Sequence, residues 1–440
     1  MPKRALAYFS NYYNQFIPLI QSRTIKSLSI LVSSNMMVAV LGFLSSVITL
    51  RFLDPIQIAT LYPLISIMMI ADQFGEFGIT NAFVRIGAGY LKEDPLKTAR
   101  ISNSVFKVKL FLAAATCIVG FFLASWISQR TFHTDDQVFW IRIVLMAAGI
   151  GIIASFYQAH LQILNEFKSL SLIKLIPPAL KTGMLFLLIP LGKFNFIYVF
   201  FAFLIIPVFS LILGLLFSDH HYLKAKSVLG KDFHEVFHFS KWLLLSSLTN
   251  AFTGQVDVLM IRSLTSESEV ARYLGGQRLA SVLPVFSISL VTVLLPKIST
   301  YTSKKELHYF FRKWLLALPL IMIPILGIAA LAPTLIPFVL GQKYIHSIDI
   351  FQVFSFQFGI EIFFIPISLI LYNLNKAHVL ALANLGQLLI NVIGNYFLVP
   401  PYGSMGATLS AFAMRIFGVS VILYSCYREG VIFYKEEKLY

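Results

Sequence analysis

The sequence predicts an all-α, polytopic membrane protein of about twelve transmembrane helices in two six-helix lobes. Three observations carry that expectation. Only 12% of the 440 residues are charged while 58% are hydrophobic. A solvated exterior needs roughly a quarter of its residues charged, so lipid is the solvent for most of this chain. Basic residues collect in alternate gaps between long apolar stretches, and the two halves of the chain echo each other about 210 residues apart.

Crossing roughly 30 Å of hydrocarbon takes about 20 mostly apolar residues in a helix. Spans are expected near 28–50, 56–80, 105–127, 138–162, 170–192, 195–217, 239–261, 273–296, 314–338, 348–372, 378–399 and 404–426. They must be helical because lipid offers no partner to an open strand edge. The alternation of a membrane barrel is absent, and runs such as Ile143–Ile153 and Leu315–Leu331 are apolar all round. Residues 1–27 hold Lys3 and Arg4, and Asn11, Asn14 and Gln15 interrupt their apolar content. That pattern fits a cytoplasmic interfacial segment better than a cleaved secretory signal. A first lobe is expected over 28–217, a cytoplasmic linker over 218–238, a second lobe over 239–426 and a cytoplasmic tail over 427–440.

Twenty-three of the 35 Lys and Arg fall in one set of gaps, including Lys92, Lys97, Lys168, Lys224, Lys297, Lys304, Lys376 and Arg428. The other set holds six: Arg51, Arg130, Lys193, Arg262, Arg272 and Lys343. Short basic loops stay in the cytoplasm. Twelve spans in a bacterial cytoplasmic membrane with both termini inside satisfy that split. The net charge of +15 is then a topological signal, together with attraction to anionic lipid headgroups. Nucleic acid is not an expected partner, because no segment is long enough to form a soluble basic face. The loops assigned to the outside are short, the longest being about Ser128–Gln137. Cys117 and Cys426 both lie within spans, which argues against a disulfide framework or a cysteine metal site.

The repeat is specific in place as well as spacing. Arg51 precedes Tyr62 by eleven residues, and Arg262 precedes Tyr273 by eleven, after the first and seventh spans. Asn165 precedes Pro190 by 25, and Asn375 precedes Pro400 by 25. Each asparagine sits in an inner turn, and each proline closes the following span. Six spans per half give the halves the same orientation, a recurring transporter plan with the substrate site between them.

At these residues the chain resembles a known family. Leu50-Arg51-Phe52-Leu53-Asp54-Pro55, followed by Ala71-Asp72-Gln73-Phe74-Gly75-Glu76-Phe77-Gly78, looks like the opening hairpin of bacterial polysaccharide transporters. Asp257 through Arg262, Tyr273 and Arg278-Leu279 are similar to that family's seventh and eighth spans. So are Leu295-Pro296, Leu340-Gly341-Gln342-Lys343-Tyr344 and Pro400-Pro401-Tyr402-Gly403. These are the Wzx-type flippases of the multidrug/oligosaccharidyl-lipid/polysaccharide superfamily, and the ordered series of motifs spans nearly the whole chain. One departure is Asp54, where the family usually has Gly, which makes the local turn a point to examine. The resemblance implies a central cavity. It also implies movement of an undecaprenyl-diphosphate-linked oligosaccharide, an O-antigen repeat or a similar surface glycan unit, to the outer leaflet. Association with polysaccharide polymerase and chain-length proteins follows by the same route. The residues alone stop at a duplicated transporter of unknown substrate.

Ionisable groups within spans cost roughly 2.5–3.5 kcal/mol each at the helix centre, so they face a cavity or a partner. Six basic residues qualify by position: Lys107, Lys109, Arg142, Lys181, Arg278 and Arg415. Lys107, Lys109 and Arg142 lie near enough to a rim to snorkel. Basic groups in a wet cavity lower the cost of moving a diphosphate, and arginine clamps phosphate oxygens in pairs. Lys181, Arg278 and Arg415 are the expected headgroup contacts, with Arg85 at the inner mouth. The competing reading is that each holds two helices together by pairing with an acid. Asp72, Glu76, Asp257 and Glu361 are the candidate partners, or the carriers of a coupling proton or sodium ion. No cofactor or resident metal is expected.

His234-Glu235-Val236-Phe237-His238 matches HExxH, which on a helix pairs two histidines on one face for zinc. No third ligand follows on the same membrane side, so a basic linker helix is the simpler reading and a metalloprotease a remote one. No nucleotide motif or serine triad is present, so an enzyme is not expected. A multidrug or cation antiporter of the same superfamily remains as the alternative. It would favour an acidic cavity, whereas the intramembrane charges here lean basic.

Overall fold

A computed structural model describes residues 23–76, 78–225, 251–374 and 376–432, together with Val236 and Thr249. Among the described residues the regular structure is helical, with no strand. The first lobe holds α1 (Arg23–Phe52), α2 (Pro55–Glu76), α3 (Ile79–Tyr90), α4 (Pro95–Phe132), α5 (Val138–Ile163), α6 (Phe167–Leu188) and α7 (Phe196–Phe217). The second holds α8 (251–264), α9 (Glu267–Ala280), α10 (Val285–Ser299), α11 (Lys304–Leu315) and α12 (Leu318–Ala330). It continues with α13 (Ala332–Leu340), α14 (Ile348–Asn373) and α15 (Ala377–Arg428). Nine described helical stretches, one of them running through α11 and α12, are long and apolar enough to cross a membrane. Their outer faces carry side chains such as Phe111, Phe122, Leu316 and Phe338 at 70–80% exposure. Such surfaces are tolerable only against lipid.

Local chemistry sets the boundaries. Asp54 replaces the expected glycine as a helix cap: its carboxylate accepts the Ile56 N–H at 3.0 Å, satisfying a free donor of the first turn of α2. Asp94 caps α4 by accepting the Lys97 N–H at 2.9 Å, with Pro95 at the first helical position. Ser303 and Glu306 form a reciprocal capping box at α11, an arrangement that satisfies two orphan donors at once. The second span stops at Glu76 rather than near residue 80, because Gly78 turns the chain at φ 63° into the short α3. The eighth span is broken: α9 ends at Ala280, and Pro284, which has no N–H to continue a helix, precedes α10. The ninth is broken at Leu316–Ala317 and at Leu331, with Pro319 and Pro333 at the restarts. Spans eleven and twelve are one element, α15, kinked at Gly403 (φ 57°, ψ −137°).

The cores show how the lobes meet. One buried cluster includes Leu50, Leu53, Leu61 and Tyr62 of the first lobe with Tyr273, Leu274, Leu340 and Phe351 of the second. It lies at the end of the bundle that is poor in basic residues. At the basic-rich end, the described residues form three separate clusters, the smallest of them Leu161, Leu170 and Ile173. Another is built on Ile79, Phe83 and Phe156, and the third on Leu307, Phe311 and Phe363. Among the described residues the lobes therefore share a core at one end, and towards the other they touch at Phe74 and Phe252, whose rings lie 5.5 Å apart.

A cationic cavity at the seam of the two lobes

Between the lobes lies a cavity of about 710 Å³. Five first-lobe helices line it: α1 (Phe43, Ser46), α2 (Tyr62, Asp72), α5 (Gly151, Ser155, Gln158), α6 (Lys181) and α7 (Phe203, Ser210). The second lobe closes it with Arg278 of α9 and the Ser281–Val285 break. Arg278, Ser281, Val282 and Val285 line it at i, i+3, i+4 and i+7, the spacing of a single helix face, so one face continues across the break.

Lys181 is 6% exposed, with its ammonium 4.6 Å from the centre of the Phe203 ring. It follows Pro177 and Pro178 by one turn, and Thr182 beside it donates back to the Pro178 carbonyl at 2.8 Å. Arg278 stacks over the Tyr62 ring at 5.1 Å. Each cation rests on an aromatic face, which stabilises a charge without neutralising it. Among the described residues neither has a carboxylate at ion-pair distance. Asp72 faces the same space from α2, packed so tightly that a Cβ on Gly151 would come within 2.7 Å of its Oδ1. Ser46, Ser155, Gln158 and Ser281 add hydroxyl and amide groups to a mostly apolar wall.

The other expected site residues lie elsewhere. Arg415 forms an ion pair with Glu361, joining α15 to α14, and stacks on Phe358; it is absent from the cavity lining. Arg85 sits exposed on α3, also outside that lining. Asp257, on α8, is buried and accepts from the Tyr273 hydroxyl at 2.6 Å and the Asn395 amide at 2.7 Å. It has no Lys or Arg at ion-pair distance among the described residues. The side chain of Glu76 lies outside the described residues, as do His234, Glu235, Phe237 and His238 of the HExxH match. Among the described residues no group of acids, histidines and cysteines has the spacing to hold a metal ion. Lys109 corrects the snorkelling expectation: it is 1% exposed, and its ammonium donates to Thr80 Oγ1 at 3.1 Å and Ser155 Oγ at 2.9 Å. Tyr62 was visible in the sequence as a repeat marker. The cavity serines had no such mark, since a lone serine in an apolar helix looks the same facing lipid, core or cavity.

The sequence pattern of the polysaccharide biosynthesis protein family matches residues 24–302. The chain belongs to that family. Among its relatives is an uncharacterised membrane protein of the Klebsiella pneumoniae cps region. It is 24% identical over 399 residues, covering 89% of this chain and 79% of the relative. A Shigella flexneri protein assigned as an O-antigen transporter is 25% identical over 211 residues, 46% of this chain and 50% of its own length. The solved fold of the lipid II flippase MurJ, in an inward closed conformation, superposes with a TM-score of 0.73 at 17% identity, over 90% of this chain and 87% of that one. An inward-facing multidrug resistance MATE transporter of the MOP superfamily scores 0.71 at 14% identity, over 93% and 99%. Both likenesses establish the twelve-helix, two-lobed fold, which serves more than one class of cargo.

Proposed function

We propose that this family member translocates an undecaprenyl-diphosphate-linked oligosaccharide, the precursor of O-antigen or a similar surface glycan, across the cytoplasmic membrane by alternating access. The observation that carries the reading is a pair of cations, Lys181 and Arg278, on opposite lobes around one cavity, with no carboxylate at ion-pair distance among the described residues. Two positive groups suit a diphosphate, while the serines and Gln158 suit sugar hydroxyls. A cation carried as cargo would meet repulsion there, which disfavours the antiporter alternative. The basic-rich end is oriented to the cytoplasm by the positive-inside rule. No bond is made or broken, so the protein is read as a transporter and not an enzyme.

Uphill movement needs a coupling ion, and Asp257 is its proposed carrier: a buried carboxylate held by two neutral donors at the second-lobe seam. The test is a flipping assay in proteoliposomes with a fluorescent undecaprenyl-diphosphate oligosaccharide. Wild type should flip it, and Lys181→Ala should slow flipping at least tenfold, since a hydrogen bond to a charged group is worth about 1.5–3 kcal/mol. An imposed proton or sodium gradient should accelerate wild type and leave Asp257→Asn unaffected. Transport of an organic cation with no flipping of the glycolipid would overturn the reading.

A further inference from the structure

The repeat seen in the sequence returns at the basic-poor end as a set of reciprocal bonds between the lobes. The Lys343 ammonium of the second lobe donates to the Leu53 carbonyl of the first at 2.5 Å. The His133 ring of the first lobe meets the Ser263 carbonyl of the second through Nε2 at 2.9 Å. His133 and Lys343 are 210 positions apart, and so are Leu53 and Ser263. A carbonyl can only accept, so the imidazole nitrogen must carry the proton. The arginines at offset 211 follow the same plan. Arg51 donates to the Phe338 and Val339 carbonyls at 2.6 and 2.8 Å, at the end of α13. Arg262 is ion-paired with Glu267 of its own lobe at 2.8 Å and reaches across only through its guanidinium, 5.2 Å from the ring of Phe132, the last residue of α4. Span three ends in one case and its repeat partner, span nine, in the other. The carbonyls of Ser263, Phe338 and Val339 belong to terminal helical turns that lack an intrahelical partner and carry the negative end of the helix dipole.

We infer that these residues are one clasp present in two copies, His133 with Ser263 and Lys343 with Leu53, reinforced by Arg262 and Arg51. Each lobe supplies the donor for one copy and the carbonyl for the other. The clasp holds the basic-poor ends together, and both copies must release before the cavity opens on that side. The bonds are exposed or half-buried, so water can replace them and the closure is reversible. The reciprocity follows from duplication: a contact between unlike surfaces of two repeats appears twice across their symmetry axis.

This inference rests on the proposed alternation and orientation, so its test reads accessibility rather than glycan transport. A reporter thiol is placed in the cavity by Ser281→Cys, with Cys117→Ala and Cys426→Ala. Right-side-out spheroplasts and inverted vesicles are then treated with a membrane-impermeant maleimide. With the clasp intact, labelling from the spheroplast side is slow. Lys343→Met or His133→Phe, which keep the side-chain bulk, should each raise that rate about tenfold, the effect of losing one hydrogen bond of this kind. The double variant should raise it further, and Lys343→Arg should stay near wild type. An increase confined to inverted vesicles would support the clasp and overturn the orientation. Unchanged labelling from both sides in the double variant, with wild-type amounts of protein in the membrane, would overturn the clasp. If the double variant fails to reach the membrane, Arg51→Met, which keeps much of the apolar stem and can donate to neither carbonyl, gives the same two-way reading.

Discussion

At the residue scale, rarity of charge singled out side chains that the structure puts to different uses. Lys181, Arg278 and Arg415 all stand out because a span tolerates few charges. The first two face the cavity on aromatic rings, and the third is bonded to Glu361. Depth is legible along a helix, whereas facing depends on which neighbour arrives from a distant part of the chain. Lys109 makes the same point, since its burial comes from Thr80 and Ser155 on two other helices. A pair and a binding group respond differently to neutralisation. Arg415→Gln and Glu361→Gln should each lower the melting temperature in detergent by leaving an unpaired charge at span depth. The double variant should recover much of that loss, with a coupling of about 1–3 kcal/mol. Full additivity in that cycle would show that the pair contributes nothing, and would return Arg415 to the list of candidate headgroup contacts.

At the scale of elements, the spans were legible from composition because the bilayer sets their length, and most helices fall where the apolar windows lie. The breaks were less legible. A proline inside a helix kinks, caps or ends it according to what packs around it. Pro177, Pro178 and Pro207 remain inside helices, while Pro284 and Pro319 sit at restarts. Gly403 is the sharpest joint. Its φ of 57° with ψ of −137° is open to glycine alone, and a Cβ there would run into the Glu269 carboxylate, which accepts the Ser404 N–H at 2.7 Å. Gly403→Ala should therefore cost about 1–3 kcal/mol, seen as a lower melting temperature. Gly183→Ala, in regular helix with open space around it, should be neutral or slightly stabilising. Equal effects from the two would mean that the kink is not a strained, glycine-dependent joint.

At the scale of the whole molecule, duplication was legible and the state of the lobes was not. Two short echoes about 210 residues apart sufficed to divide the chain into similar halves. Which end the halves share depends on side chains such as Lys343 reaching Leu53, almost 300 positions away, and no local pattern encodes that. The repeat does constrain topology strictly. An offset of 210 residues that contains an even number of spans returns each position to the same side of the membrane; an odd number sends it to the other. Single cysteines at Asp135 and His346, both exposed at the basic-poor end, should then react with an impermeant maleimide from the same side. Cysteines at Lys168 and Lys376 should both react from the opposite side. The positive-inside rule adds the direction: the first pair should react in spheroplasts and the second in inverted vesicles. If Asp135 and His346 reacted from different sides, six spans per repeat would be impossible, and with them the parallel halves on which the cavity, its paired cations and the reciprocal clasp all depend.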